Sequence, residues 1–426
     1  TRSSAVTGVQ TCALPIYLKS AVPSPIVDSV KGEWAIIGLA RSDASMPTSY
    51  YSSYYDRVVA YVEDKINDAG QLHTVRSTEN ARVALAVTAI GKDPRSVGGH
   101  NLLTALNDVT YVNQQGVNGP IWALIALDSG NYEVPKRTDA YPYGTLTPEE
   151  TDRQNSRQKM INFILANQFD DGGWNLQPKD NGGSGYNAVS DVDMTGMAMI
   201  ALAPYMKQAK VKKAIDRAIT YLSKQQKADG GFGSWGTVNS ESCAQAICGL
   251  LACGVNPNTD KRFIKNGKSI IDGLMSFYDE KVGGFRHVNT ASGGYEPVVN
   301  QMATEQAYYA LAFFYKMVPG QTVLTKAAKV GSGKLKVTWK KAAINTDYVT
   351  KQSGKTAAVS GYQIVCATDK KFSKNVVKTT VSGKSLSKTV TSLKKGKTYY
   401  VKVRAYKTVN GKKLYGLYSS VRTQKV

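Results

Sequence analysis

The sequence predicts a multidomain chain: an all-α (α/α)6 toroid, N-terminally truncated, followed by an all-β sandwich. Three observations carry that expectation. A unit of amphipathic helix, glycine turn and apolar helix recurs five times. The apolar pattern changes from a helical period to strict alternation near residue 320. The formal charge of +22 falls entirely after that change, because 320–426 holds 24 Lys/Arg and two Asp/Glu while the rest of the chain balances.

The clearest unit runs Phe163-Ile-Leu-Ala-Asn-Gln168-Phe-Asp-Asp-Gly172-Gly-Trp174, then Ser190-Asp191-Val-Asp193-Met-Thr195 into the apolar run to Leu202. Gly70, Gly116, Gly230 and Gly283 mark the other copies, about 46 to 58 residues apart, which is room for two helices and a loop per repeat. Periodicity and breakers place helices near 26–41, 54–69, 78–91, 100–112, 119–128, 148–168, 190–205, 208–228, 240–254, 262–279 and 300–317. Alternating apolar inner with amphipathic outer helices gives six inner and five outer ones, as if the first outer helix were missing. Residues 6–16 read as a translated sequencing adapter. The expected divisions are therefore 1–19 as artefact and disordered leader, 20–318 as toroid, 319–328 as linker and 329–426 as the β-domain.

Beyond 320, Lys334–Trp339, Gly361–Cys366, Ser387–Val390 and Tyr399–Tyr406 alternate as half-buried strands. Their Lys residues fall on the solvated face, and no nucleic-acid motif accompanies them. An anionic polymer such as a Gram-positive cell wall is the expected partner if that face is functional. A merely solvated face is the plain reading. Cys243, Cys248 and Cys253 share one expected helix and cannot pair within it, so they and Cys366 read as buried free thiols. His73, His100 and His287 are scattered, and no metal site is expected.

Candidate chemistry lies at the loop end. Loops 177–189, 233–240 and 286–301 carry or follow Trp174, Tyr186, Trp235 and Tyr295, and each leads into an inner helix. With Asp193 and Glu305 these are the expected ligand contacts. Thr78-Glu79, Ser190-Asp191, Ser240-Glu241 and Thr304-Glu305 stand at inner-helix starts, where a cap and a first-turn acid stabilise any helix. Asp193 is extra to that pattern. The Tyr-rich run Ser49–Tyr55 reads as an exposed turn, with a carbohydrate contact as the functional alternative.

The Gln-to-aromatic turns resemble the QW motif of squalene-hopene cyclases and prenyltransferase repeats, in which the Gln ties helix ends and the aromatic stacks on it. Asp191-Val-Asp193-Met194-Thr195 resembles the acid motif of class II terpene cyclases, which implies Asp193 as proton donor and Asp191 as support; Met194 stands where that family has a third Asp. The same run resembles the helical domain of intrinsic factor and transcobalamin, which implies a cobamide as a bound ligand rather than a resident cofactor. Leu393-Lys-Lys-Gly396-Lys-Thr-Tyr399 resembles the tyrosine corner of a fibronectin type III domain. The favoured expectation is an exported or cell-surface binding protein of a Gram-positive anaerobe, with no membrane span in this stretch. The alternative is a terpene cyclase-like isomerase that protonates a polyene through Asp193.

Overall fold

A computed structural model describes residues 17–42, 44, 46–137, 152–179, 189–342 and 358–426. The adapter-like stretch 6–16 and Tyr186 lie outside them. Six apolar helices form a closed cycle of packing: α1 (Trp34–Arg41) on α3 (Ser77–Ala89), then α5 (Asn118–Ser129), α7 (Val192–Leu202), α9 (Ser240–Ala252) and α11 (Gln301–Met317), which returns to α1. Against their outside lie α2 (Thr48–Lys65), α4 (Val109–Asn113), α6 (Arg157–Ala166), α8 (Ala209–Gln225) and α10 (Ile270–Met275). Small residues let the cycle close. A Cβ on Gly196 would sit 2.5 Å from Gln245 O, and one on Gly249 would sit 2.8 Å from Gly196 O, so α7 and α9 cross backbone to backbone.

The repeat turns are built alike. Gln168 Nε2 donates to Gly172 O at 2.8 Å and across to Ala214 O on α8 at 2.9 Å. Gln226 Nε2 repeats this with Gly230 O and Phe263 O, both at 3.1 Å. Each Gln thereby satisfies carbonyls left over at helix ends. Gly172 and Gly230 have φ of +99° and +90°, and a Cβ at either would clash with Arg217 O or Ser269 O of the neighbouring unit.

The structure moves several expected boundaries. The helix expected from 26 begins at Trp34, because Lys31 sits at φ +59° and breaks the chain direction before Glu33. The outer helix expected over 262–279 shrinks to α10, since Asn266-Gly267 adopts positive φ at both positions and closes a tight turn between Lys265 and Lys268. Asp108 splits the 100–112 segment by capping α4 through Thr110 N and Tyr111 N. Tyr50, Tyr54, Val58 and Val62 form the buried stripe of α2, so the Tyr-rich run is helix and half of it is core. Leu18, assigned to a disordered leader, is fully buried in the helical core, and residues 17–21 are helical.

The C-terminal region holds antiparallel sheets. The short β1–β4 pairs (Gly233–Ser234, Thr237–Val238, Tyr278–Asp279, Gly284–Phe285) belong to the helical loops. One larger sheet orders β5 (Leu324–Gly331), β6 (Lys334–Trp339) and β9 (Ser387–Val390). The other orders β11 (Lys412–Tyr415), β10 (Thr398–Val409), β7 (Gly361–Ala367) and β8 (Val377–Ser382), with β12 (Arg422–Lys425) also on β10. Leu335, Val337 and Trp339 of the first sheet share one core with Tyr362, Ile364, Val401 and Val403 of the second. The Tyr399 hydroxyl, buried, accepts from Lys394 N at 3.0 Å. β5 starts at Leu324, inside the expected linker 319–328. Val409 and Leu414 pack into the helical core instead, and Asn410 Nδ2 donates to Ala252 O at 2.9 Å, so the two regions are docked at the C-terminal end of α9.

Candidate functional site

The site grows from the start of α7. Asp191 is extended and caps the helix, its Oδ1 accepting from Met194 N at 2.9 Å; its N–H donates to Trp174 O at 2.8 Å. Asp191 Oδ2 accepts from the Ser234 hydroxyl. One turn on, Thr195 Oγ1 donates to Asp191 O at 2.6 Å and accepts from Trp174 N at 3.0 Å. Asn80 Oδ1 takes Leu72 N in the same way, and Thr304 Oγ1 takes Phe285 N. These side chains stitch each Gly turn to the inner helix that follows it.

That stitch corrects the expected capping register. The caps of α7, α9 and α11 are Asp191, Asn239 and Asn300, respectively one residue after Ser190, one before Ser240 and four before Thr304, the Ser/Thr positions expected to cap. Counted from the caps, Asp193 is equivalent to Glu241 and Met302. Glu241 Oε2 accepts from the Ser240 hydroxyl and contacts His287 Nδ1, both at 2.8 Å. Asp193 has no such ion pair: its Oδ1, like Glu241 Oε1, is buried without a hydrogen-bond partner, and the Ser242 hydroxyl is its polar neighbour. Burial above all, then the Asp191 charge, pushes the Asp193 carboxyl up to about 8, only partly offset by the Ser242 hydroxyl. The shift favours its protonated form at neutral pH.

Asp193 lines a cavity of about 330 Å³. Trp34, Trp122, Leu176, Met194, Met197 and Trp235 make its apolar wall. Trp34 and Trp122 meet at 5.0 Å between centroids, and Tyr309 closes behind Trp34 at 5.9 Å. Thr78, Arg82 and Asn118 supply polar edges. The Arg82 charge is already matched by Glu33 at 2.8 Å and Glu79 at 3.1 Å. Glu33 is fully buried, and burial lifts its carboxyl to about 7 against the opposing pull of Arg82 and the Tyr54 hydroxyl.

The expected contacts divide. Asp191, Asp193 and Trp235 come together in the cavity. Trp235 is held at φ +54°, rare for a bulky residue, and is half exposed at the rim. Trp174 does not reach it. Its side chain is wholly buried and its indole N–H donates to Ile164 O at 2.7 Å, so it is the anchor of the turn rather than a ligand contact. Glu305 is also buried apart from the cavity, accepting from Lys31 N at 3.0 Å and Gln301 Nε2 at 2.7 Å, with its carboxyl raised to about 7 by burial. Tyr295 is exposed on its loop, its ring 4.2 Å from that of His287. Trp34, Trp122 and Met197 were not among the expected contacts. The sequence marks each only as one apolar residue on an inner helix.

Residues 144–291, which include the Gln168 turn and Asp191–Thr195, match the family model of the squalene-hopene cyclase C-terminal domain. The helical region is terpenoid cyclase-like. Among solved structures the chain is similar to ent-copalyl diphosphate synthase from Streptomyces platensis, at 18% identity and a TM-score of 0.40, covering 66% of this chain and 50% of that one. The chain is also similar to the FN5 domain of Drosophila Lar, at 22% identity and a TM-score of 0.18, covering 25% of this chain and 96% of that one. The FN1-FN3 domains of chicken CNTN1 give 24% identity and a TM-score of 0.18, covering 25% and 31%. No curated protein matches. No helix among the described residues is long and apolar enough to cross a membrane.

Proposed function

We propose that the helical region is an (α/α)6 toroid whose cavity binds a small, largely apolar and unsaturated ligand that bears one hydrogen-bond acceptor. The carrying observation is Asp193: a partly buried carboxyl whose Oδ1 is buried without a hydrogen-bond partner and whose shift favours the protonated form, in the wall of a tryptophan- and methionine-lined cavity. Buried polar groups are nearly always satisfied, and unlike Glu241 and Glu305 the Asp193 carboxyl lines the cavity, where a ligand can supply the missing partner. The cavity falls within the size range of small-molecule sites. The closed cycle of six inner helices supports the toroid. The strand order and the Tyr399–Lys394 bond support a fibronectin type III domain at the C-terminus, and that domain type supports placing the protein at the cell surface.

The protonated state also favours a second reading, in which the Asp193 proton adds to an alkene carbon and leaves a carboxylate beside a carbocation faced by the Trp rings. Met194, where the related motif has an acid, and the tie between Asp191 and Ser234 favour binding instead. The test is native mass spectrometry and product analysis of the full chain with linear isoprenoid alcohols, polyenes and a cobamide, beside Asp193→Asn. A stoichiometric adduct that weakens in the variant supports binding. A product that disappears in the variant establishes the second reading. An adduct of equal strength in both proteins removes Asp193 from the site.

A further inference from the structure

The C-terminal region carries charge that the cavity does not use. Among the described residues, no Lys or Arg of 324–426 lies in an ion pair. On one face of the larger sheet the cations are held by rings instead. Lys402 Nζ lies 3.8 Å from the centroid of Phe372 and 4.1 Å from that of Tyr418. Arg404 lies 3.7 Å over Tyr415 and 4.3 Å over Tyr418, and its Nε donates to Gln363 Oε1 at 2.9 Å. The ladder register puts Val365 opposite both Lys402 and Lys378, so Lys378 extends the row across the sheet. Val401, Val403 and Ala405 fill the core, and Val409 packs on the helices; the alternating Lys402 and Arg404 therefore face away from both.

Two further facts mark this row as more than a solvated face. Phe372, whose ring covers Lys402, sits at φ +57°, a strained conformation for a bulky residue that persists where the surroundings demand it. Burial, then the Arg404 and Lys378 charges, pulls Lys402 below its usual value, so the neighbouring cations repel one another. A row of preorganised, mutually repelling cations is relieved by an anion with repeating charge.

We propose that the Lys378–Lys402–Arg404 face of the five-stranded sheet is a binding surface for a linear phosphodiester polymer that carries no bases, of the kind built from repeating polyol phosphates. The absence of bases follows from the rings. Sequence-tolerant single-strand binders stack bases on open aromatic faces, whereas Tyr418 is covered by two cations and Phe372 and Tyr415 by one each. This surface is independent of what the helical cavity takes.

The experiment is fluorescence anisotropy of a labelled poly(glycerol phosphate) oligomer with the full chain over a salt series. It compares Lys402→Gln/Arg404→Gln with Lys334→Gln/Lys336→Gln, which removes the same charge from exposed positions of the three-stranded sheet. The proposal expects about a tenfold or larger loss of affinity in the first pair and less than about threefold in the second. It also expects the slope of log affinity against log salt to fall by about 1 to 2 in the first pair. A third variant, Phe372→Gly, suits the positive φ and removes the ring; it is expected to weaken binding while Tm stays level or rises. Equal losses in the two double variants, no binding by the unaltered protein, or tighter base-dependent binding of single-stranded DNA would each overturn the proposal.

Discussion

Two stretches twenty residues apart treat buried polar groups in opposite ways. In the turn from Gln168 to Trp174, the Gln amide, the indole N–H and the Trp174 backbone N–H all find partners within the fold. At the start of α7, which hydrogen-bonds that same turn, Asp191 is satisfied but Asp193 Oδ1 is not. Stability alone explains the first arrangement and argues against the second. The turn is scaffold, and Asp193 is the residue we propose for the site.

The largest expected effect lies on the scaffold side. Trp174→Ala removes a fully buried indole and should cost about 3–5 kcal/mol, to the same extent from pH 5 to 8, as read by chemical denaturation. Asp193→Asn should do the reverse, and with a pH signature. The folded carboxyl titrates at about 8 rather than 3.8, so between those values the folded state holds a proton that the unfolded state has lost. Stability due to Asp193 is then fully present below about pH 4 and declines as pH rises, by up to about 1.4 kcal/mol per unit, until the folded group ionises. The variant should accordingly gain stability over the unaltered protein as pH rises from 5 to 8, while it loses ligand. Glu33 and Glu305, raised to about 7, share this sign and will leave residual slope in the variant.

Smaller effects sharpen the same contrast. Gln168→Ala leaves Gly172 O and Ala214 O unpaired in the interior and should cost about 1–3 kcal/mol without changing ligand affinity. In the distant β-region, Tyr399→Phe loses the single bond from Lys394 N and should cost about 1 kcal/mol, again with the cavity unaffected. A loss of ligand binding in either variant would mean that scaffold and site are not separable as argued.

The turns were legible because they are local: Gln168, Gly172 and Trp174 lie within one turn and the next, and their spacing states their bonds. The β-region was legible for the same reason, since period-two alternation survives in single strands such as Lys334–Trp339. The cavity was legible only in part. Asp193 announced itself beside Asp191, and Trp235 by its loop. Trp34 and Trp122 enter from helices that the closed cycle brings round from far along the chain, and no local pattern distinguishes them from core. Trp174 was misplaced because aromatic residues after a Gly turn read equally as rim or anchor, and only its wholly buried indole decides. The tight Asn266-Gly267 turn and the Tyr50, Tyr54, Val58, Val62 stripe were signals present in the sequence and outweighed by neighbouring apolar or Ser-rich residues.

The most direct test is the protonation state of Asp193 in the folded protein. Isotope-labelled aspartate carboxyl resonances would be followed from pH 4 to 9, with Asp193→Asn assigning the signal. The account predicts a carboxyl that stays protonated through pH 7 and titrates near 8, moving further upward when a ligand accepts its proton in a hydrogen bond. A midpoint near 4 would make Asp193 an ordinary ionised helix-start acid and remove the basis for the site.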